Sequence, residues 1–325
     1  VLRLFRNYSP FTVLILIIAA FLMKLQALLH PIAPVALEHH VVFATVLHCL
    51  DYIFYGSAFA YTLFAVCIII SQALFLNYIT VRHKMFPRNS YLPAFSYLLL
   101  TSLTPSFNYF SEPLLINWLT LIAVNIMLTF SQTSQPRKQI FNAGFAICIP
   151  ALLQFPALGF ILLFILALIF LRSFNAGEWV VGIMGYLTPI YFFVCILFLF
   201  DHLPVLTQAF QLGFSLPGKF ARPAYMVGAI GGLVLLVVGG TISIQQQIAK
   251  MTIYIRRSWG LMFTYLLISF AVAFIAVSSV NAEWMIIMPA LSLIISQSFC
   301  FEKSKRFSTF TFYFSLLLLI FCLLA

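Results

Sequence analysis

The sequence predicts an all-α fold: a polytopic transmembrane bundle of about 11 helices, since roughly 20 apolar residues cross a hydrocarbon core, forming one integral membrane domain over residues 1–325. Three observations predict it. Of the 325 residues, 63% are hydrophobic and 7% are charged, with a mean hydropathy of +1.09. A soluble domain carries about 25% charged residues, and no aqueous fold could hide this much apolar surface. The apolar residues come in long Leu- and Phe-rich runs that do not alternate, which argues for helices over a barrel of period-two strands. The basic residues recur between the runs on every second connection.

The elements follow in order. Arg3 and Arg6 precede an apolar run at 10–29, with no small-x-small cleavage site after it, so this run is expected to be an uncleaved first helix. A first loop carrying Glu38, Asp51 and four of the six histidines follows. The next helices are expected at 53–80, 89–104 and 113–130. Two short ones, 139–152 and 156–171, flank the turn between Pro150 and Pro156, as two spans or as a re-entrant hairpin. A helix at 178–200 carries Pro189, where a bend is expected. After a loop at 201–221 come helices at 223–245, 259–279, 284–300 and 308–325. No internal repeat or soluble domain interrupts them. The six cysteines are scattered without ligand spacing and read as small packing residues.

Charge gives the expected orientation, because Lys and Arg favour cytoplasmic loops. With the N-terminus inside, all 17 Lys and Arg except Lys24, Lys219 and Arg222 fall in inner segments. The net charge of +10 therefore reflects topology and contact with anionic lipid, not a nucleic-acid partner. The acids run the other way. Glu38, Asp51, Glu112, Asp201 and Glu283 fall at the outer side, with every histidine but His83. The positive-inside rule does not require this, so polar chemistry is expected at the outer face.

Three stretches there carry candidates. In the first loop, His40, His48 and Asp51 stand at i, i+8 and i+11, one face of a helix. Val41, Val42, Phe43, Val46, Leu47 and Leu50 fill the other side, the pattern of a short interfacial helix. Glu38, Asp51, His40 and His48 are the candidate catalytic residues: a partly desolvated carboxylate helped by an imidazole takes a proton from an incoming hydroxyl. The plain alternative is a helix that closes the top of the bundle. In the second stretch, Asn108 and Glu112 are candidate binding residues, although Ser111 and Glu112 before Pro113 also read as a helix start. The third, residues 201–222, holds His202 and the two outer cations Lys219 and Arg222, suited to a lipid-borne phosphate or to ordinary headgroups. No metal or cofactor site is predicted. Lys24 lies about five residues from the outer end of its helix and is expected to snorkel to that interface; otherwise it faces a cavity, where an intramembrane ionisable group is functional by default.

Exclusions follow as well. No phosphate-binding loop, dinucleotide fingerprint, nucleophile elbow or HExxH motif is present. No ionisable residue besides Lys24 sits at mid-membrane, which argues against an ion pump or channel.

The runs LFRNYSPFTVL, RNSYLPAFSYLLLTSLTPSFNYFSEPLLINWL and FNAGFAICIPALLQFPALGFILLFILALIFLRSFNAGEWVVGIMGYLTPIYF resemble an uncharacterised multi-pass inner-membrane family of Bacteroidota, over roughly residues 1–200. That resemblance implies the cytoplasmic membrane of a diderm bacterium. The overall layout is more distantly similar to polytopic glycosyltransferases that use polyprenyl-phosphate sugars, with Glu38 or Asp51 where that class places its base. This implies a polyprenyl-phosphate lipid as substrate. The competing expectation is a non-enzymatic subunit with protein partners in a cell-envelope assembly, or a lipid or polymer transporter.

Overall fold

Why the chain folds as it does is clearest from where its helices stop. In the computed structural model, which describes residues 2–34, 41–133, 135–201, 203–204, 223–276, 282–301 and 305–324, 83% is helix, and no strand occurs among the described residues. The helices are α1 (Leu2–Arg6), α2 (Pro10–Met23), α3 (Leu25–Leu29), α4 (Val41–Phe54), α5 (Ala58–Arg82), α6 (Leu92–Thr101), α7 (Glu112–Leu128), α8 (Pro136–Leu153), α9 (Phe160–Leu171), α10 (Ala176–Leu199), α11 (Pro223–Ile248), α12 (Ile253–Ile275), α13 (Met288–Phe299) and α14 (Lys305–Leu324). Tight 3-10 turns at Pro105–Asn108, Phe155–Gly159 and Ala282–Ile287 lead into α7, α9 and α13. Proline opens many of these helices (α2, α6, α7, α8 and α13 carry one in the first two positions), where its missing N–H costs nothing. Six helical segments are long and apolar enough to cross a membrane: 58–82, 176–199, 227–248, 253–275, 282–299 and 305–322.

Several expected elements differ in detail: the helix expected at 259–279 runs over Ile253–Ile275, and the one expected at 284–300 opens as a 3-10 turn before α13. The first helix is divided at Lys24, whose φ of −104° and ψ of 9° leave the helical region between α2 and α3. The pair at 139–152 and 156–171 is uneven: α8 runs for 18 residues with Pro150 inside it. At 1.5 Å per residue it is about 27 Å long. The turn falls at Gln154, inside the expected interval between Pro150 and Pro156, where extended backbone separates α8 from the next 3-10 turn.

Packing is close where glycines face backbone. A Cβ on Gly144 would lie 2.7 Å from the Gly182 carbonyl oxygen, and one on Gly185 would lie 2.5 Å from that of Phe141. Helices α8 and α10 therefore meet through small residues, as membrane helices do when apolar lipid offers no hydrophobic drive to associate. Gly240 of α11 meets the Ile294 carbonyl of α13 in the same way. Apolar side chains from Leu2 to Leu319 join in one buried cluster. A buried hydrogen-bond chain crosses it: Tyr97 Oη donates to Gln72 Oε1 at 2.6 Å, and Gln72 Nε2 donates to the Leu114 carbonyl at 2.6 Å. This chain ties α5, α6 and α7 together with their polar groups satisfied, as hydrocarbon demands.

Contacts between helix ends sort the connections into two groups. At one end, Arg6 Nη2 donates to the Phe299 carbonyl and Ser308 Oγ, and the Tyr91 N–H donates to the Phe5 carbonyl. Trp259 donates to Met85 O, His83 meets Tyr254 Oη, Tyr254 donates to Leu128 O, and Arg172 reaches Phe130 O. At the other end, Lys24 meets Asn108, Tyr61 meets Asp51, Phe43 stacks on Phe110, and Asn117 donates to Met285 O. No described contact mixes these two groups of chain ends.

Candidate functional site

The second of those ends holds a buried polar cluster. Lys24 is fully buried, with 0% of its surface exposed. Its Nζ donates to Asn108 Oδ1 at 2.5 Å and lies 3.4 Å from both the carbonyl and the hydroxyl oxygen of Thr101. Three acceptors match the three N–H bonds of an ammonium group. The Thr101 hydroxyl donates its own proton to the Leu98 carbonyl, so its oxygen is available to accept. No Gly or Pro occupies 22–26, so the break between α2 and α3 has no local backbone cause. It coincides with the side chain that is tethered into the bundle, while the Lys24 N–H still bonds Ala20 O and the Leu28 N–H still bonds Lys24 O. Lys24 therefore turns inward and does not snorkel to the interface.

The partner elements place further groups beside this tether. Asn108 ends the 3-10 turn at 105–108 and is buried. Four residues on, Glu112 opens α7, buried in its first turn where the helix dipole favours a carboxylate. Ser111 precedes it without capping the helix through its side chain. The turn at 282–287 packs against both α7 and the 105–108 turn, and it carries the fully buried Glu283. Ser106 Oγ, Ser111 Oγ and Trp284 Nε1, all on these elements, are buried without a hydrogen-bond partner among the described residues. Such a group costs about 1–3 kcal/mol where nothing pairs it. A concentration of them at one end of a bundle points to polar occupancy there.

At the rim stands α4. Phe43 and Leu47 are buried, and Val42, Val46, Leu50 and Phe54 pack against the core. His48 and Asp51 lie on the exposed face. Asp51 accepts a hydrogen bond from the buried Tyr61 hydroxyl at 2.6 Å, which fixes its orientation. Exposure of Asp51 departs from the partly desolvated base that the sequence suggests.

The structure thus brings together Lys24, Thr101, Asn108 and the element carrying Glu112, and puts Asp51 and His48 on the neighbouring rim helix. Glu38, His40, His202, Lys219 and Arg222 lie outside the described residues. Sequence reasoning offered Lys24 as a cavity-facing group only as the alternative to snorkelling, and it left out Thr101 as a binding group and Glu283 as a buried member of this end. For Lys24 the signal was present: an isolated lysine in an otherwise apolar run. Its direction around the helix was not readable from hydropathy.

No protein-family model matches the chain, and no curated protein or solved structure matches it either.

Proposed function

We propose that the chain is a multi-pass protein of a bacterial inner membrane, with the Lys24 end outward, and that it acts there on a polyprenyl-phosphate-linked sugar as a glycosyltransferase-like enzyme. The observation that carries the reading is the buried Lys24–Asn108–Thr101 tether. A lysine inside a membrane bundle is costly, and such a group is read as part of a polar substrate path. The orientation rests on the two groups of helix ends. Among the described residues, Lys24 is the sole Lys or Arg at its end, and the others collect at the opposite one, as cytoplasmic loops do.

In this reading the head of the donor lipid enters between the 105–108 and 282–287 turns. The phosphate is met by the Asn108 amide and the Ser106 and Ser111 hydroxyls, with the charge of Lys24 behind them while its three N–H bonds stay on Asn108 and Thr101. Asp51, steered by Tyr61, faces the acceptor hydroxyl from the rim, with His48 on the same helix and Glu38 and His40 just before that helix in sequence. Lys219 and Arg222, from the sequence between α10 and α11, add positive charge around the leaving phosphate. Positive charge fixed before the reaction stabilises the developing phosphate anion, which is a main catalytic term.

A second reading draws support from the exposure of His48 and Asp51. An open polar face on α4 also suits a non-enzymatic subunit that docks a partner in an envelope assembly, or a lipid or polymer transporter. One experiment separates them. Wild-type and variant protein, reconstituted in liposomes with a polyprenyl-phosphate sugar, is assayed for sugar transfer. Lys24→Met and Asp51→Asn are each expected to lower turnover at least tenfold without loss of folded protein. Full transfer by both variants sinks the assignment of Lys24 and Asp51 to the site, and no transfer by wild type sinks the enzyme reading. Absence of transfer by wild type, with specific capture of a polyprenyl phosphate, favours transport.

A further inference from the structure

The opposite end of the bundle carries a cavity of about 330 Å³ that plays no part in the proposal above. It opens where α5 ends, α7 ends and α8 begins. Apart from one isoleucine its lining is polar: Arg82, Asn125, Thr129, Gln132, Thr133 and Gln139. No carboxylate lines it among the described residues. Its size falls within the range of small-ligand sites.

We propose that this cavity is a binding site for a phosphate group, carried by a lipid headgroup or by a soluble phosphate ester. The argument is one of donor supply. Arg82 is held at the mouth, with Nη1 donating to Tyr78 Oη at 3.1 Å and its Cζ 5.8 Å from the centre of the Tyr78 ring. That leaves the remaining guanidinium N–H groups to a ligand, in the planar fork that matches phosphate oxygens. Asn125 is anchored from behind: its Oδ1 lies 3.2 Å from Nε2 of the buried His83, and His83 Nδ1 lies 2.6 Å from Tyr254 Oη. Asn125 is thus held by His83 on one side and presents the rest of its carboxamide to the cavity. Thr133 Oγ1 accepts from the Gln135 N–H at 3.2 Å, which keeps its own proton for donation. Gln132 and Gln139 add carboxamides on the facing walls. Thr129 is occupied differently, donating to the Ile126 carbonyl at 2.7 Å, and contributes a lone pair. One cation, several neutral donors and no acid make a site for a multi-oxygen anion.

The test uses the full chain, purified in phospholipid-free detergent and titrated separately with inorganic phosphate and with phosphatidic acid. The unfolding midpoint is read at each concentration. A saturable rise is expected with at least one probe, and Arg82→Gln is expected to weaken the apparent affinity at least about tenfold, the loss of a hydrogen bond to a charged group. A rise with phosphatidic acid alone identifies a headgroup site, and a rise with inorganic phosphate identifies a soluble phosphate site; both support the proposal. Gln139→Ala, a milder change away from His83, is expected to weaken the same probe and serves where Arg82→Gln does not fold. The proposal is overturned by no saturable rise with either probe, by an equal rise with potassium chloride at matched ionic strength, or by unchanged affinity in the folded variants.

Discussion

A lysine at the centre of a bilayer costs about 2.5–3.5 kcal/mol on insertion scales; Lys24, nearer one end, carries less than that, and its three oxygen acceptors offset part of it. Replacing it with methionine removes that cost but leaves Asn108 Oδ1 without its donor, which costs about 1–3 kcal/mol. The two terms are similar in size. Lys24→Met is therefore expected to unfold within a few degrees of wild type, whatever it does to function; a large loss in a thermal melt means that the tether is mainly structural. Arg172 and Glu178 pose a different case. Arg172 Nη2 and Nε approach the two carboxylate oxygens at 2.5 and 3.1 Å, with the Glu178 side chain 7% exposed and that of Arg172 24%. Glu178→Gln keeps the shape and removes the charge. Breaking a fully buried pair costs about 3–5 kcal/mol, and the partial exposure of Arg172 brings the expected loss down to about 1–3 kcal/mol, readable as a lower melting midpoint. His83 supplies a pH dependence. Burial lowers its pKa below the usual value, opposed by the Asn125 hydrogen bond and assisted by the neighbouring Arg82 charge. The unfolded chain then binds a proton at higher pH than the folded one does. Stability is full above about pH 6.5, falls as pH drops through the unfolded value, and levels off below the folded one. His83→Gln is expected to flatten the melting midpoint across that window; an unchanged slope assigns the dependence to other groups.

At the scale of elements, the α8–α10 contact is set by atoms that cannot move aside. The neighbour of a Cβ at Gly185 is backbone, the Phe141 carbonyl, so Gly185→Ala forces the two helices apart. Overpacking of this kind costs about 1–3 kcal/mol. Gly231 of α11 is the control, since a Cβ there meets nothing within 4 Å. Gly231→Ala is expected to be neutral or to stabilise by up to about 1 kcal/mol. Comparable melts for the two variants would show that α8 and α10 have room to shift. The contrast also shows what sequence reading can and cannot supply. Every glycine in an apolar run looks the same in a hydropathy profile. Only the partner helix decides whether its missing side chain is filled by backbone, by a movable side chain such as Leu318 at Gly232, or by lipid.

Across the whole molecule, helix class and the start of α7 at Glu112 were legible because hydropathy and proline position act locally. The buried cluster was not, because Lys24 and Asn108 stand 84 residues apart and Tyr97 and Gln72 stand 25 apart. A run of apolar residues fixes how deep a polar side chain lies, not which way round the helix it faces. Orientation in the membrane belongs to a third kind of information, the sum of many weak charge preferences, and it is the premise of the functional proposal. It can be measured directly. The Tyr52→Cys position lies on α4 with 86% of the native side chain exposed, and the Lys138→Cys position lies on the exposed first turn of α8. Both substitutions are made in a background lacking the exposed native Cys49 and Cys67. A membrane-impermeant maleimide applied to intact spheroplasts should label the first position at once and the second after permeabilisation. The reverse order would put the Lys24 cluster on the cytoplasmic side, where a lipid-linked donor meets soluble acceptors. Labelling of both from one side would mean that α5 through α7 do not cross the bilayer an odd number of times, and the assignment of one end of the bundle to each face would fail.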